Sequence, residues 1–83
     1  MPSAYKKRHD YEKFLLGLLE KQGQLHRKHL LAKWITDGKP DSSFNKVLYD
    51  LKRDGHVKKV DDEHFSPYII TDAGKRYLSG LRA

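Results

Sequence analysis

A segment near the middle of the chain carries hydrogen-bonding and cationic side chains at helical spacing. At about 100° per residue, residues 41–54 place an amide, a hydroxyl, a phenol and two cations on one face. Such groups suit base edges, because an amide can pair in bidentate fashion with adenine and a lysine can donate to guanine O6 and N7. A solvated helix surface has the same composition, so both interpretations stay open at this point. The residues of this face are Ser42, Asn45, Lys46, Tyr49 and Arg53.

Sequence patterns for catalysis and metal binding are weak. The chain contains no cysteine, which excludes disulfides and thiolate metal sites. His26 and His29 lie three residues apart, but two histidines without a third ligand are more typical of solvated or capping side chains than of a metal site. The acids at 61–63 are adjacent in a predicted turn, which indicates a solvated charge run and not a paired acid and base. We therefore predict that the protein is not an enzyme and holds no cofactor and no metal.

The length and the charge of the chain limit its partners. The 83 residues correspond to one domain, and a domain of this size has no room for a deep substrate cleft beside its core. The formal net charge of +6 favours polyanions such as DNA, RNA or anionic lipid. No apolar run approaches the roughly 18 residues of a membrane span, so we expect no membrane partner and a cytoplasmic location close to DNA.

The helix that would carry the polar face has start, stop and core signals of its own. N-cap oxygens are offered by Asp41, Ser42 and Ser43. Gly55 is placed to end the helix, because glycine adopts a positive φ without a Cβ clash. Opposite the polar face, the spacing predicts an apolar face that packs on the core. Its residues are Phe44, Val47, Leu48 and Leu51.

Three further helices and a hairpin are predicted around this segment. We expect helices at 10–22 and 26–36, a turn at 37–40 and a β-hairpin with strands at 56–60 and 64–70. Asp10 would begin the first helix, and Thr71 would cap a last helix that runs to about Leu81. Residues 1–9 are then a basic N-terminal arm, and residues 10–83 are the domain. The predicted stripes of the first two helices are Tyr11, Phe14, Leu15, Leu18 and Leu19, with Leu16 at the margin, and Leu30, Leu31, Trp34 and Ile35.

Two stretches of this chain resemble the winged helix-turn-helix domain. Residues 48–57 end in Leu51-x-x-x-Gly55-x-Val57, which is similar to the end of a recognition helix entering the wing. Residues 68–78 place an apolar pair before Thr71, then Gly74, a basic residue and a second apolar pair. That pattern is similar to the second wing strand and closing helix of the MarR and PadR regulator families. The resemblance covers residues 10–81, nearly the whole chain.

The resemblance implies an α+β fold with a three-helix core, a two-stranded hairpin wing and a C-terminal helix. It also implies a small transcriptional regulator that binds double-stranded DNA selectively, with residues 41–54 in the major groove. The base contacts would come from the first part of that helix, and the phosphate contacts from cations around it. The expected base contacts are Ser42, Ser43, Asn45, Lys46 and Tyr49, and the expected phosphate contacts are Lys6, Lys7, Arg8, Arg27, Lys28, Lys52, Arg53 and Lys58.

Two features depart from these families. The predicted wing tip is Asp61-Asp62-Glu63, where DNA-contacting wings usually carry basic residues, so the tip would point away from DNA or meet a protein. The chain also lacks the long helices through which MarR and PadR proteins dimerise, which leaves a homodimer open. The alternative is therefore a winged helix that contacts protein or RNA within a larger assembly.

Overall fold

The chain forms four helices and one antiparallel hairpin. The computed structural model describes the backbone of residues 4–83 and the side chains from Arg8 onwards. In chain order the elements are α1 (Ala4–Gln22), α2 (Arg27–Thr36), α3 (Asp41–Arg53), β1 (Val57–Lys59), β2 (Tyr68–Ile70) and α4 (Asp72–Arg82). This agrees with the predicted α+β class. None of the helices in residues 4–83 is both long and apolar enough to cross a membrane.

Helix α1 begins six residues earlier than the sequence predicted. It starts at Ala4 and not at Asp10, so residues 4–9 of the predicted basic arm belong to this helix, while residues 1–3 lie outside the described part of the chain. Lysine and arginine are good helix formers, and Arg8 forms an i,i+4 ion pair with Glu12 across this first part of the helix. Asp10 therefore lies within the helix, where it pairs with Lys13 at 3.8 Å.

Helices α2 and α3 are joined by a turn that a tryptophan holds in place. Trp34 is fully buried on α2 and donates from Nε1 to the carbonyl of Pro40 at 2.7 Å. Pro40 occupies the N-cap position of α3 in an extended conformation, and it makes no side-chain cap bond. The prediction that Asp41, Ser42 and Ser43 offer the cap is therefore wrong, because these residues already belong to the first turn of the helix.

The hairpin is shorter than predicted. Strands β1 and β2 pair over three positions, from Val57 opposite Ile70 to Lys59 opposite Tyr68. The first predicted strand, 56–60, extends one residue beyond each end of β1, and the second, 64–70, begins four residues before β2. Residues 60–67 instead form an irregular loop, in which Pro67 has no N–H to donate to a ladder. On its other edge β2 pairs with Leu25, whose N–H and carbonyl both bond to Tyr68 at 3.1 and 2.8 Å. The extended link after α1 thus completes the sheet.

The core lies between α1, α2, α3 and α4, with the aromatic ring of Trp34 near its centre. The rings of Tyr11 and Phe14 on α1 lie 5.0 and 6.1 Å from Trp34, and Phe44 on α3 lies 5.6 Å away. The predicted apolar face of α3 is buried as expected, and Leu15 and Leu19 of α1 are fully buried. These contacts orient α3 so that its opposite face points outward.

Two apolar residues lie elsewhere than predicted. Leu16 is fully buried and not marginal, because it lies between Glu12 and Glu20 on the side of α1 that α4 covers. Ile35 is 51% exposed, since α2 packs on the core through the row of Leu30 and Trp34. The apolar stripes predicted from the sequence therefore did not show which residues at their margins become buried when the helices pack.

Helix α4 begins as the sequence predicted. The Thr71 hydroxyl accepts a hydrogen bond from the N–H of Gly74 at 3.0 Å. A Cβ atom at Gly74 would lie 2.0 Å from the carbonyl oxygen of His56 and 2.8 Å from Ile70 Cγ1. Only glycine fits such an approach without a shift of the backbone. This close contact of the first turn of α4 sets the helix directly against the start of the hairpin.

Candidate nucleic-acid interface

The polar face of α3 is turned outward. All five residues predicted for it are exposed, and Tyr49 is 62% exposed. Ser43, which was also predicted to contact bases, is half-buried at the margin. Because the opposite side of α3 is packed into the core, this face is the part of the helix that a ligand can reach. Its members are Ser42, Asn45, Lys46, Tyr49 and Arg53.

One side of the α3 face is linked to α2. Arg27 donates from Nη2 to the Asn45 Oδ1 atom, and the Arg27 guanidinium lies 5.5 Å from the centre of the Phe44 ring. A bidentate pair with adenine uses both the oxygen and the amino group of an asparagine. Asn45 could therefore make that pair only after Arg27 releases its oxygen, a link that the sequence did not indicate.

On its other side, the α3 face borders the carboxylate of Asp50. Asp50 is only 8% exposed, and Arg53 contacts it at 3.3 Å while also reaching Asp54 at 3.3 Å. Arg53 was predicted to contact phosphate. It is paired with carboxylates within its own helix end, so a phosphate would have to compete with them.

A charge network of five residues joins α1, α3 and α4. We use this name for Arg8, Glu12, Asp50, Arg53 and Tyr77. Arg8 of α1 binds Asp50 of α3 and lies 3.5 Å from Glu12. Glu12 is only 7% exposed and accepts a hydrogen bond from the Tyr77 hydroxyl of α4 at 2.7 Å. The network therefore ties three helices together through side chains that are far apart in sequence.

Contacts within the network shift the pKa values of Asp50 and Tyr77. The hydrogen bond from Arg8 lowers the pKa of Asp50, and the charges of Arg8, Arg53 and Lys46 lower it further against the opposing effect of burial. Burial raises the pKa of Tyr77 to about 12, and its hydrogen bond to Glu12 acts in the same direction. Asp50 is thus held as a carboxylate and Tyr77 as a neutral phenol.

This arrangement changes the predicted set of phosphate contacts. Arg8 is committed to Asp50 and Glu12 and is not a free cation. Lys6 and Lys7 belong to α1, but their side chains lie outside the described residues. Of the other predicted contacts, Arg27, Lys28, Lys52 and Lys58 are exposed.

A second group of cations surrounds a cavity between the start of α2 and the hairpin loop. The cavity has a volume of about 700 Å³, and we call it the basic cavity. No Asp or Glu of the described residues lines it, and no ion pair of the described side chains involves Arg27, Lys28 or Lys59. The remaining lining side chains are aromatic or small: His26, His29, His64, Phe65, Ser66 and Tyr68.

The basic cavity adjoins the α3 face. A shallower cavity of about 550 Å³ lies against α3, and Arg27 and Tyr68 line both cavities. The second cavity also includes Asn45, Lys46 and Tyr49 of the predicted base-contact set, and Lys52 and Arg53 of the predicted phosphate set. Most of the predicted site residues on α2 and α3 therefore line two adjoining cavities, whereas Ser42 and Ser43 line neither and Arg8 lies in the charge network.

The acidic turn of the hairpin is partly structural. Asp61 Oδ1 accepts hydrogen bonds from the Ser66 hydroxyl and from the N–H of Glu63. These two bonds lower the pKa of Asp61, with the Ser66 hydroxyl as the larger cause. Asp62 and Glu63 are exposed and line neither cavity. The sequence interpretation of 61–63 as a simple solvated run missed the role of Asp61.

The histidines beside the basic cavity do not form a metal site in the described part of the chain. The rings of His26 and His29 are 5.8 Å apart, and His26 donates from Nδ1 to the carbonyl of Phe65 at 2.9 Å. No cluster of three or more metal-ligating side chains occurs among the described residues.

Sequence reasoning missed four residues of this region. Lys59, Phe65 and Tyr68 line the basic cavity, and Asp50 forms the base of the α3 face. Phe65 was assigned to a strand, yet it precedes Ser66-Pro67, and proline so near indicates a loop. Asp50 lies next to Leu51 at the border of the apolar face, which was the one local sign of its burial.

No protein-family model, no curated protein and no solved structure matches the chain.

Proposed function

We propose that this chain is a winged helix-turn-helix module that binds double-stranded DNA with sequence selectivity, as a small transcriptional regulator. The observation that carries the proposal is the outward face of α3, whose amide, hydroxyl, phenol and amino groups are exposed while the opposite face is buried. In this reading α3 enters the major groove, and Asn45, Lys46 and Tyr49 contact base edges.

The order and the packing of the elements support this assignment. A four-residue turn joins α2 to α3, and the bond from Trp34 to Pro40 keeps the two helices at one relative orientation. The hairpin follows α3 directly, and its second strand is also paired with Leu25. The polar helix is therefore presented by a rigid support, which base recognition requires.

The exposed cations beside α3 supply the phosphate contacts of the proposal. Arg27, Lys28 and Lys52 lie next to the α3 face, and Lys58 lies on the hairpin. Each phosphate that such a cation neutralises contributes about −0.9 to the slope of log affinity against log salt. Lys6 and Lys7 remain proposed phosphate contacts, whereas Arg8 is not one of them because it is bound to Asp50.

A selection from random duplexes followed by a salt titration tests the proposal. We expect one enriched sequence and an affinity that falls steeply with salt. Asn45→Ala should weaken the preferred duplex by about 1–3 kcal/mol and relax preference at one position. Lys52→Ala should weaken all duplexes alike and reduce the salt slope by about one unit.

Lys75→Ala is the matched control, because Lys75 is exposed on α4 and lines neither cavity. Its duplex affinity should equal that of the unaltered protein. A salt slope near zero, or no enriched sequence, would refute the proposal of selective duplex binding.

One observation favours a second candidate, a protein-binding role for the hairpin loop. Val60 is 48% exposed beside Asp62 and Glu63, whose charges would be repelled by phosphate. Changing Asp62→Asn and Glu63→Gln together, while Asp61 keeps its two hydrogen bonds, should leave duplex affinity unchanged or raise it. A distinct loss of duplex affinity in this folded variant would place the acidic turn at the DNA.

A further inference from the structure

We propose that the basic cavity binds a nucleotide, meaning a flat heterocyclic base that carries a phosphate. This site lies between the start of α2 and the hairpin loop, and it goes beyond the proposed duplex contact of α3. Nucleotide binding here does not require that α3 bind DNA, because Lys28, Lys59 and Phe65 do not lie on the α3 face.

The charge of the cavity favours a ligand with negative charge. Arg27, Lys28 and Lys59 converge on it, and none of them forms an ion pair with a described carboxylate. Their hydrogen bonds go to neutral oxygens, from Arg27 to Asn45 and from Lys59 to the carbonyl of His64 at 3.2 Å. Helix α2 also begins here with no acid in its first turn and no side-chain cap, so its N-terminus adds positive potential. A bound phosphate would give these three cations a negatively charged partner.

The shape of the cavity favours a flat ring. Phe65 is 82% exposed, and its ring lies edge-on to the His64 ring at a distance of 4.8 Å. The backbone beneath it is held, because His26 Nδ1 donates to the Phe65 carbonyl at 2.9 Å. An exposed aromatic ring on a held backbone, beside cations, is the arrangement that stacks bases in single-stranded nucleic-acid sites.

The size of the cavity fits the same ligand. Its volume of about 700 Å³ lies within the roughly 300–1,000 Å³ of small-molecule sites. The nucleotide has two possible sources, a free nucleotide or the unpaired nucleotide of a DNA strand. Both offer the same base and phosphate to the cavity, and the experiment separates them.

Titration with adenosine 5′-monophosphate, followed by amide chemical shifts and calorimetry, tests the proposal. We expect saturable shifts at residues 26–29 and 64–68 and tighter binding than for adenosine or inorganic phosphate alone. Phe65→Ala should weaken the nucleotide about tenfold, and Phe65→Tyr should restore binding because it keeps the ring. Lys28→Ala should weaken the nucleotide about fivefold.

Two matched variants act as controls. Lys33→Ala removes an exposed cation of α2 that does not line the cavity, and Val60→Ala removes an exposed apolar side chain of the same loop. Neither should change nucleotide affinity. Equal affinities for nucleotide, adenosine and phosphate, or full binding by Phe65→Ala, would overturn the proposal.

A short single-stranded oligonucleotide identifies the source. Tighter binding of the oligonucleotide than of the free nucleotide, with the same loss in Phe65→Ala, supports a strand as the natural ligand. Binding of the free nucleotide alone supports a small-molecule site. Binding of neither probe overturns the proposal, and this outcome is independent of duplex binding because Lys46→Ala, on the α3 face and outside the basic cavity, should affect only the duplex.

Discussion

The charge network and the basic cavity use the same kinds of cation in opposite ways. In the network, Arg8 and Arg53 are neutralised by Asp50 and Glu12, and these contacts join α1 to α3. In the basic cavity, Lys28 and Lys59 line the open space and form no ion pair with a described carboxylate. The first group holds helices together, and the second is available to an external anion.

This difference shows that net charge is a poor guide to a binding surface. The chain has 17 basic and 11 acidic residues, and five of the described cations, Arg27, Lys28, Lys46, Lys52 and Lys59, line the two adjoining cavities without forming an ion pair. Arginines within the network stabilise the fold and contribute little to attraction of a polyanion. Substitutions on the two sides should therefore separate stability from binding.

The largest expected effect on stability comes from substituting Gly74, on the side of the molecule that carries the charge network. Gly74→Ala would place a Cβ 2.0 Å from the His56 carbonyl oxygen, which would push α4 and Tyr77 away from the hairpin. We expect a loss of about 3 kcal/mol in the free energy of unfolding, measured by urea denaturation.

Gly80→Ala is the matched control in the same helix. No atom lies within 4 Å of a Cβ built at Gly80, so the change should stabilise the protein by up to about 1 kcal/mol through helix propensity. Similar behaviour of the two variants would contradict the close packing of α4 on the hairpin.

A comparison of two glutamates on α1 tests the network itself. Glu12 accepts from Tyr77 at 2.7 Å and is buried, whereas Glu20 pairs with Arg82 at 3.0 Å and is exposed. Glu12→Ala should cost about 2 kcal/mol, because it leaves the Tyr77 hydroxyl without its acceptor. Glu20→Ala should cost less than about 1 kcal/mol. Equal losses in thermal or urea denaturation would mean that burial does not distinguish these two contacts.

The raised pKa of Tyr77 predicts a pH dependence of the network. A pKa of about 12 in the folded protein, against 10.0 ordinarily, means that the contribution of Tyr77 is complete below pH 10 and is lost as the pH rises through 12. Tyr77→Phe should cost about 1 kcal/mol at neutral pH. The stability difference between the two proteins should then shrink between pH 10 and 12. Tyr49→Phe, at an exposed ring, is the control, and a constant difference for Tyr77→Phe would contradict the assignment.

The smallest effect on stability is expected in the basic cavity. Lys28→Ala should change the free energy of unfolding by less than about 0.5 kcal/mol, because the exposed Lys28 side chain forms no described ion pair. Arg8→Ala should lower stability more, since it leaves Asp50 without its main partner. If Lys28→Ala were the more destabilising of the two, the division between structural and available cations would be wrong.

Local signals predicted the four helices and their C-terminal ends, whereas the start of α1 and the N-cap of α3 were predicted wrongly. Glycines at 23, 38 and 55 have positive φ, as expected where helices stop, and Thr71 caps α4 as predicted. The amphipathic pattern of α3 was also correct on both faces. Each of these features depends on residues within about one helical turn of one another, so the sequence contains the needed information.

Features that depend on distant residues were missed. The first helix was predicted to begin at Asp10, and the stability of its earlier part involves Arg8 and Asp50, which are 42 residues apart. The burial of Leu16 depends on α4, and the exposure of Phe65 depends on a loop that was assigned to a strand. The basic cavity could not be predicted, because its lining comes from α2 and the hairpin together.

The sequence by itself determined the approximate positions of the four helices, which face of α3 is polar and why Gly55 and Thr71 stand where they do. These outcomes follow from backbone sterics and from hydrogen bonds between near neighbours. Only the tertiary structure decided which cations are neutralised and which are available. Arg27 meets Asn45 across 18 residues, and Tyr77 meets Glu12 across 65. Coulomb and hydrogen-bond energies depend on distance in space, and for such pairs that distance exists only after the helices have packed.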